Sequence, residues 1–360
     1  FLSAGRSFLL WAAMAVMSLS RASASFGQSL DLPHPLAAVW DAWKAAYMEP
    51  NGRVVDLMQG GASHSESQGY GLLLAATMQD ADAFNTIDDW TIRHLRIRQD
   101  NLLAWRWLPQ TTPAVPDNNN ASDGDLFYAW ALIRAAKAFD RPALTERATA
   151  IARDLSDTCI QNHPDGSGRL VLTPAAKGFQ RDTGLIWNPS YLMPLAMEDV
   201  ADATGTDRLR IAARDGISIL DDLASRGLVP DWVELRAEGS APVAGMTDAN
   251  GYEAMRTPLF LIWSGMPQHL AVEQQARAYG GANTVVGSTP TVMDRLTGRV
   301  LEVSDNPGYS AVSGLVGCAV RANAGSFMPS FDPSQPYYPA TLQFMTLLAQ
   351  IETLPRCVPL

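Results

Sequence analysis

The sequence predicts an all-α protein with small β-hairpin insertions. Three observations carry this. First, an apolar period close to 3.6 residues recurs about eleven times, over roughly 35–48, 66–80, 82–97, 125–139, 142–157, 189–202, 206–224, 253–264, 267–279, 310–322 and 338–353. Second, the intervals between these stretches are short and punctuated by Gly, Pro and Asn. Third, strand-like alternation is confined to 166–179 and 281–303, where β-branched residues stand between Gly-rich turns as in small hairpins. Rossmann and TIM architectures, in which strands alternate with helices, are thereby excluded. Six inner and six outer helices accommodate the count.

The 360 residues are 47% hydrophobic and 18% charged, enough for a large core and too apolar for a disordered chain. The formal net charge is −10, and basic clusters are absent. Nucleic acid and anionic membrane surfaces are therefore poor partners, whereas a neutral polymer fits. At the start, Arg6, an apolar run over 8–17 and the small residues Ala22, Ser23 and Ala24 form the pattern of a cleavable secretory signal. The expected organisation is a signal over 1–24 and one catalytic domain over 25–360, secreted or periplasmic. The apolar run is too short for stable membrane insertion. Export permits disulfides, but with only Cys159, Cys318 and Cys357 at most one pair can form, and the sequence does not say which. The five His are scattered without a metal-binding spacing, so no metal site is expected.

Four helix starts concentrate polar and acidic groups before very apolar bodies. In Ser65-Glu66-Ser67-Gln68-Gly69-Tyr70, Ser65 and Gln68 have capping-box spacing, which puts Glu66 at the first helical position. In Ala121-Ser122-Asp123-Gly124-Asp125, Ser122 or Asp123 can cap. Asn188-Pro189-Ser190-Tyr191 has Asn as cap and Pro at the first turn, and Asn250-Gly251-Tyr252-Glu253 opens the fourth. Each alone is an ordinary helix cap. If the inner helices run parallel, however, these starts meet at one end of the ring, and Glu66, Asp123 and Glu253 converge on one cleft. Paired carboxylates walled by aromatic rings are what glycoside hydrolysis requires. Trp105 and Trp107, Trp187, Tyr191, Tyr252 and Tyr338 are candidate rings for stacking on sugars, and Tyr70 and Asp125 complete the candidate substrate contacts. Arg256, three residues after Glu253, shares its side of the helix and is placed to orient it or to hold a sugar hydroxyl.

The string from Ala121 to Phe139 closely resembles the signature of family 8 of the glycoside hydrolases. Ser65-Glu66-Ser67-Gln68-Gly69-Tyr70-Gly71, Asn188-Pro189-Ser190-Tyr191 and Gly251-Tyr252-Glu253-Ala254-Met255-Arg256 are similar to three further blocks of that family, in the same order. The likeness runs from about Val54 to Leu348. Within the family it is strongest to endoglucanases that accompany bacterial cellulose synthases, through Val54-Val55-Asp56 and Ala104-Trp105-Arg106-Trp107. The resemblance implies an (α/α)6 barrel and an inverting, cofactor-free hydrolysis of β-1,4-glucan. It implies Glu66 as general acid, Asp123 at the sugar being cleaved, and association with a cellulose synthase complex. Xylanase, mixed-linkage glucanase and chitosanase belong to the same family. A non-hydrolytic glucan-binding subunit is the reading from a different class. Three departures stand out. Ser67 replaces Gly, Tyr128 replaces Ile or Met, and Glu253 occupies the position where many members carry Asp as general base. Asp248 is the alternative base.

Overall fold

The computed structural model describes residues 34–321 and 325–357, so the proposed signal segment lies outside the described residues. From residue 35 onward the described residues form one compact unit. Eleven α-helices are present among the described residues: α1 (Ala37–Tyr47), α2 (Ser65–Thr77), α3 (Ala81–His94), α4 (Ser122–Ala138), α5 (Ala143–Cys159), α6 (Pro194–Thr204), α7 (Asp207–Ala224), α8 (Arg256–Trp263), α9 (Leu270–Gly281), α10 (Pro307–Ala319) and α11 (Tyr337–Thr353).

Two kinds of helix alternate. In α2, α4, α8 and α11 most residues are buried, from Leu72, Leu73 and Leu74 in α2 to Leu342, Phe344 and Met345 in α11. Their sequences are apolar all round, as interior helices must be. By contrast, α3, α5, α7 and α9 bury a single stripe, such as Leu209, Ala212, Ala213, Gly216, Ile219, Leu220 and Leu223 in α7. The interior helices pack in succession, α2 on α4, α4 on α6, α6 on α8 and α8 on α11, and the striped helices cover them. Close approach of α2 and α4 depends on two glycines. A methyl at Gly124 would lie 2.2 Å from Ser65 Oγ and 2.7 Å from the Glu66 nitrogen, and one at Gly69 would press on the Gly124 carbonyl at 3.2 Å. These contacts bring the two acidic helix starts together.

Strands are short and peripheral. The hairpin expected over 281–303 is present as β9 (Thr289–Met293) and β10 (Val300–Ser304). The hairpin expected over 166–179 is displaced: Leu170–Leu172 (β4) pairs backwards with Ile160–Asn162 (β3), which continues directly from α5. Gly166 and Gly168 have φ of +75° and +79° and make the turn between these strands, so the partner precedes the glycines. A two-stranded pair, β1 (Ser63–His64) with β2 (Arg106–Trp107), leads into α2. A four-stranded sheet has the order β5 (Gln180–Arg181), β6 (Gly184–Trp187), β7 (Val233–Leu235) and β8 (Ser240–Ala241). The segment expected to be helical over 189–202 begins with a 3-10 turn at Pro189–Tyr191 and restarts as α6 at Pro194, since Pro biases the residue before it against helix.

The one disulfide joins Cys318, in α10, to Cys357, in the short turn after α11, and Cys159 is free and buried. The Tyr128 departure has a structural partner. Its hydroxyl donates to Asp88 at 2.7 Å, and Arg147 holds the same carboxylate through both terminal nitrogens, at 2.7 and 2.8 Å. This buried cluster ties α4 to α3 and α5.

Candidate active site

The carboxylates are set by helix starts, with some caps differing from the sequence expectation. At α2 the cap is His64. Its N–H donates to Ser67 Oγ at 2.9 Å, which gives the Ser67 departure a role, and Ser65 is already helical with Glu66 at the second position. Gln68 is not part of a capping box. Its amide accepts from the Val54 N–H at 2.7 Å and donates to Thr91 Oγ1 at 2.9 Å, tying the preceding loop to α3. At α4 the cap is Ala121, with Ser122 and Asp123 at the first and second positions. Ser122 Oγ donates to the Thr173 carbonyl at 2.8 Å. At the fourth start Tyr252–Met255 is a turn, and α8 opens only at Arg256. Asn250 does not cap it. Its amide donates to the Val229 carbonyl and accepts from Gln275.

Arg256 is the hub. It is 2% exposed, and one of its terminal nitrogens donates to Glu66 while the other donates to Glu253. The second nitrogen also reaches Ser190 Oγ at 2.7 Å, and the first lies 3.7 Å from Asp123 Oδ2 and 3.3 Å from the Tyr70 hydroxyl. Glu253 additionally receives the Asn188 amide at 3.2 Å and the Ser190 hydroxyl at 3.3 Å. Glu66, Asp123 and Glu253 therefore surround a single guanidinium.

Asp123 differs from the two glutamates. It is 2% exposed, its Oδ1 accepts the Gly124 N–H at 2.8 Å, and Oδ2 has no hydrogen-bond partner among the described residues. Burial pushes its pKa well up, repulsion from Glu66 and Glu253 adds to this, and Arg256 opposes it.

The candidate rings divide. A cavity of about 430 Å³ opens beside Glu66, Glu253 and Arg256, and Tyr252, Tyr309, Tyr338 and Met58 are among its lining residues. Tyr252 is 39% exposed and its hydroxyl donates to Glu302 at 3.1 Å, while the Tyr338 hydroxyl donates to the Tyr252 carbonyl. A second group leads away from Arg256 through Tyr191, 5.8 Å from the guanidinium, to Trp232, which stacks on Phe179 at 6.0 Å. Trp105 stands beside the start of α2. Its backbone carbonyl accepts the Ser65 N–H, its indole donates to Asp117 at 3.0 Å, and the Arg106 guanidinium lies 4.2 Å from its ring. His64 stacks near the same ring at 6.3 Å and is neutral, since burial lowers its pKa to about 4.

Other candidates lie outside this group. Trp187 is 1% exposed within β6 and packs in the core. Trp107 is enclosed by Trp90, His94 and the Arg53 guanidinium. Asp125 is wholly buried, and its oxygens accept the Leu103 N–H at 2.8 Å and the Asn120 amide at 2.9 Å. Burial raises its pKa to about 7. It braces the loop that leads to Trp105, and it is shut off from the cleft by its burial. Asp248 neighbours Arg295 and Asp294 at the far end of the β9–β10 hairpin, and it is not among the residues around Arg256. The sequence reading missed Asn188 and Ser190 as partners of Glu253, although their block was recognised. It also missed Trp232, Phe179 and Asp231, which belong to no helix start.

Three carboxyls around one guanidinium, edged by aromatic rings and set at the ends of interior helices, are the equipment of an enzyme that cleaves glycosidic bonds. Comparison with known proteins makes the class specific. The family model of glycosyl hydrolases family 8 matches residues 7–352, and the chain belongs to that family. A probable endoglucanase of Novacetimonas hansenii is 35% identical over 346 residues, covering 94% of this chain and 98% of the relative. Among solved structures, the endo-β-1,4-glucanase CMCax from Acetobacter xylinum superposes with a TM-score of 0.78 at 33% identity, over 89% of this chain and 99% of that one. Endoglucanase Cel10 from Klebsiella pneumoniae also gives a TM-score of 0.78, at 30% identity over 88% and 99%. The chain is a glycoside hydrolase, and its fold is the (α/α)6 barrel of these neighbours.

Proposed function

We propose that the protein is an inverting endo-β-1,4-glucanase in which Glu66 is the general acid, Glu253 the general base and Asp123 the group that holds the sugar at the cleavage point. The observation that carries this reading is the shared contact of Glu66 and Glu253 with Arg256, with Asp123 alongside. Glu66 gives its proton to the glycosidic oxygen as the bond from that oxygen to C1 breaks. Water attacks C1 from the opposite face and passes its proton to Glu253. The unpartnered Oδ2 of Asp123 accepts from the distorted sugar. Arg256 keeps Glu253 oriented and compensates the negative charge. The endoglucanase relatives favour a β-1,4-glucan as substrate over xylan, mixed-linkage glucan or chitosan. Two groups of rings around the carboxylates suit a chain that continues on both sides of the cleaved bond. Glu253, turned toward Arg256, favours hydrolysis over a purely glucan-binding role.

The mechanism is tested by NMR of the first products from a β-1,4 oligosaccharide. The α-anomer is expected before mutarotation, and an initial β-anomer excludes inversion. Parallel digestion of carboxymethyl cellulose, xylan, lichenan and chitosan tests the substrate class. Replacing Trp105 by Ala is expected to raise KM on cellohexaose about tenfold, from roughly 1–1.5 kcal/mol of lost ring contact, with kcat changed much less. Unchanged kinetics on polymer and oligomer alike would make Trp105 a packing residue.

Export and work beside a cellulose synthase complex complete the proposal. The residue pattern of 1–24 and a disulfide at Cys318–Cys357 support an oxidising compartment. Among the described residues no helix is long and apolar enough to cross a membrane. Fractionation of a producing cell, with sequencing of the mature N-terminus, tests the first point, and co-purification with the synthase tests the second.

A further inference from the structure

We propose that Asp231, which lies just before β7 and is not among the residues lining the cavity beside Glu253, is the positioning residue for Glu253: it pins the turn that carries this carboxylate. The inference rests on the reading of Glu253 as general base.

The turn Tyr252–Met255 has no cap of its own. Met255 offers no capping side chain to α8, and Asn250 is committed to Val229 and Gln275. A segment some twenty residues earlier supplies the missing acceptor. Asp231 Oδ1 receives the Gly251 N–H at 2.9 Å and the Ala254 N–H at 2.8 Å, so a single oxygen spans the turn on both sides of Glu253. The Asp231 backbone N–H donates to the Ala249 carbonyl at 2.8 Å, and the Asn250 amide reaches the Val229 carbonyl at 2.8 Å. The two segments are thus clasped together at four points. Asp231 is 5% exposed, so water does not compete for these bonds. Gly251 is needed for the approach, since a methyl there would meet Asp231 Oδ2 at 2.5 Å.

The arrangement matters because of the residue that is displayed. Glu has one more rotatable bond than Asp between backbone and carboxylate. Holding its oxygens at a water position requires fixing both ends of the side chain. Arg256, Asn188 and Ser190 hold the carboxylate end, and Asp231 holds the backbone end. A displacement of about 1 Å in a catalytic group can cost roughly a hundredfold in rate.

The test compares Asp231→Ala, Asp231→Asn, Gly251→Ala, Glu253→Gln and the double variant Asp231→Ala/Glu253→Gln in steady-state kinetics on cellohexaose. Asp231→Ala is expected to lower kcat about a hundredfold with KM within about twofold. Asp231→Asn keeps an oxygen at the Oδ1 position and is expected to retain kcat within about fivefold. The double variant is expected to be no slower than Glu253→Gln alone, because a residue acting only through Glu253 has nothing left to position. Overturning results are a kcat for Asp231→Ala within threefold of wild type, or losses that multiply in the double variant. If Asp231→Ala does not fold, Gly251→Ala decides: its methyl pushes on the Asp231 carboxylate from the turn, and an undiminished kcat overturns the proposal. Wild-type turnover in Glu253→Gln removes Glu253 as base and, with it, the basis of the inference. A dead Glu253→Gln beside an unaffected Asp231→Ala refutes the positioning role alone.

Discussion

Replacing Glu66 by Gln is expected to lower turnover by about two to four orders of magnitude, the range for losing a positioned proton donor, while oligosaccharide binding persists. The fold should survive. Glu66 is at the second position of α2, its carboxylate faces the cleft, and the α2 start is held by His64, Ser67 and the Trp105 carbonyl without it. Gln preserves the shape and an acceptor for Arg256 but cannot deliver a proton. The measurement is hydrolysis rate beside calorimetric binding of a cello-oligosaccharide. A variant that keeps more than a tenth of wild-type activity excludes Glu66 as the acid, whatever its place beside Arg256.

Replacing Arg256 by Met is expected to cost both stability and catalysis. Removing one partner of a buried ionic cluster leaves charges without compensation and typically costs about 3–5 kcal/mol. The loss should depend on pH in a defined direction. Arg256 is the charge that pulls the Asp123 pKa down against burial and two neighbouring glutamates, so without it that pKa rises further. A carboxyl whose folded pKa lies above its unfolded value contributes stability below the unfolded pKa and loses it as pH rises through the folded one. The deficit of the variant should therefore be larger at pH 8 than at pH 5 in urea titrations. An equal deficit at both would assign Arg256 a packing role only. Turnover should fall at least a hundredfold, because Glu253 loses its strongest partner.

The interior helices were legible because they are apolar on every side and begin with residues unsuited to a helix body. The starts at Glu66 and Asp123 could be found for the same reason, although the caps themselves sit one residue earlier, at His64 and Ala121. Asp123 and Asp125 share one helix turn but are two positions apart, so they face different sides. One faces Arg256 and the other braces the loop at Leu103, a distinction that spacing shows only once the helix direction is known. The sheet β5–β8 left no alternation to detect, since its strands have two to four residues and β6 meets β7 from nearly fifty positions away. Asp231 escaped for a related reason. It serves backbone N–H groups of a distant turn, and no local pattern marks such a partnership.

The link between Cys318 and Cys357 has a practical consequence for preparing the enzyme. The bridged residues are 39 positions apart, and the loop they close contains all of α11, including the cleft residue Tyr338. In the chain-entropy model a loop of this length is worth about 4 kcal/mol. Material made in a reducing cytosol would begin its life without that contribution, with the helix that walls the cleft held by packing and by hydrogen bonds such as those of Thr341 to Trp43 and Glu352 to Trp263. Both sulfurs are buried, at 2% and 0% residue exposure, so a reductant added later reaches the bond only when the region opens. Yield, storage life and tolerance of thiol-containing buffers are thus decided by where the chain folds, more than by what it is mixed with afterwards.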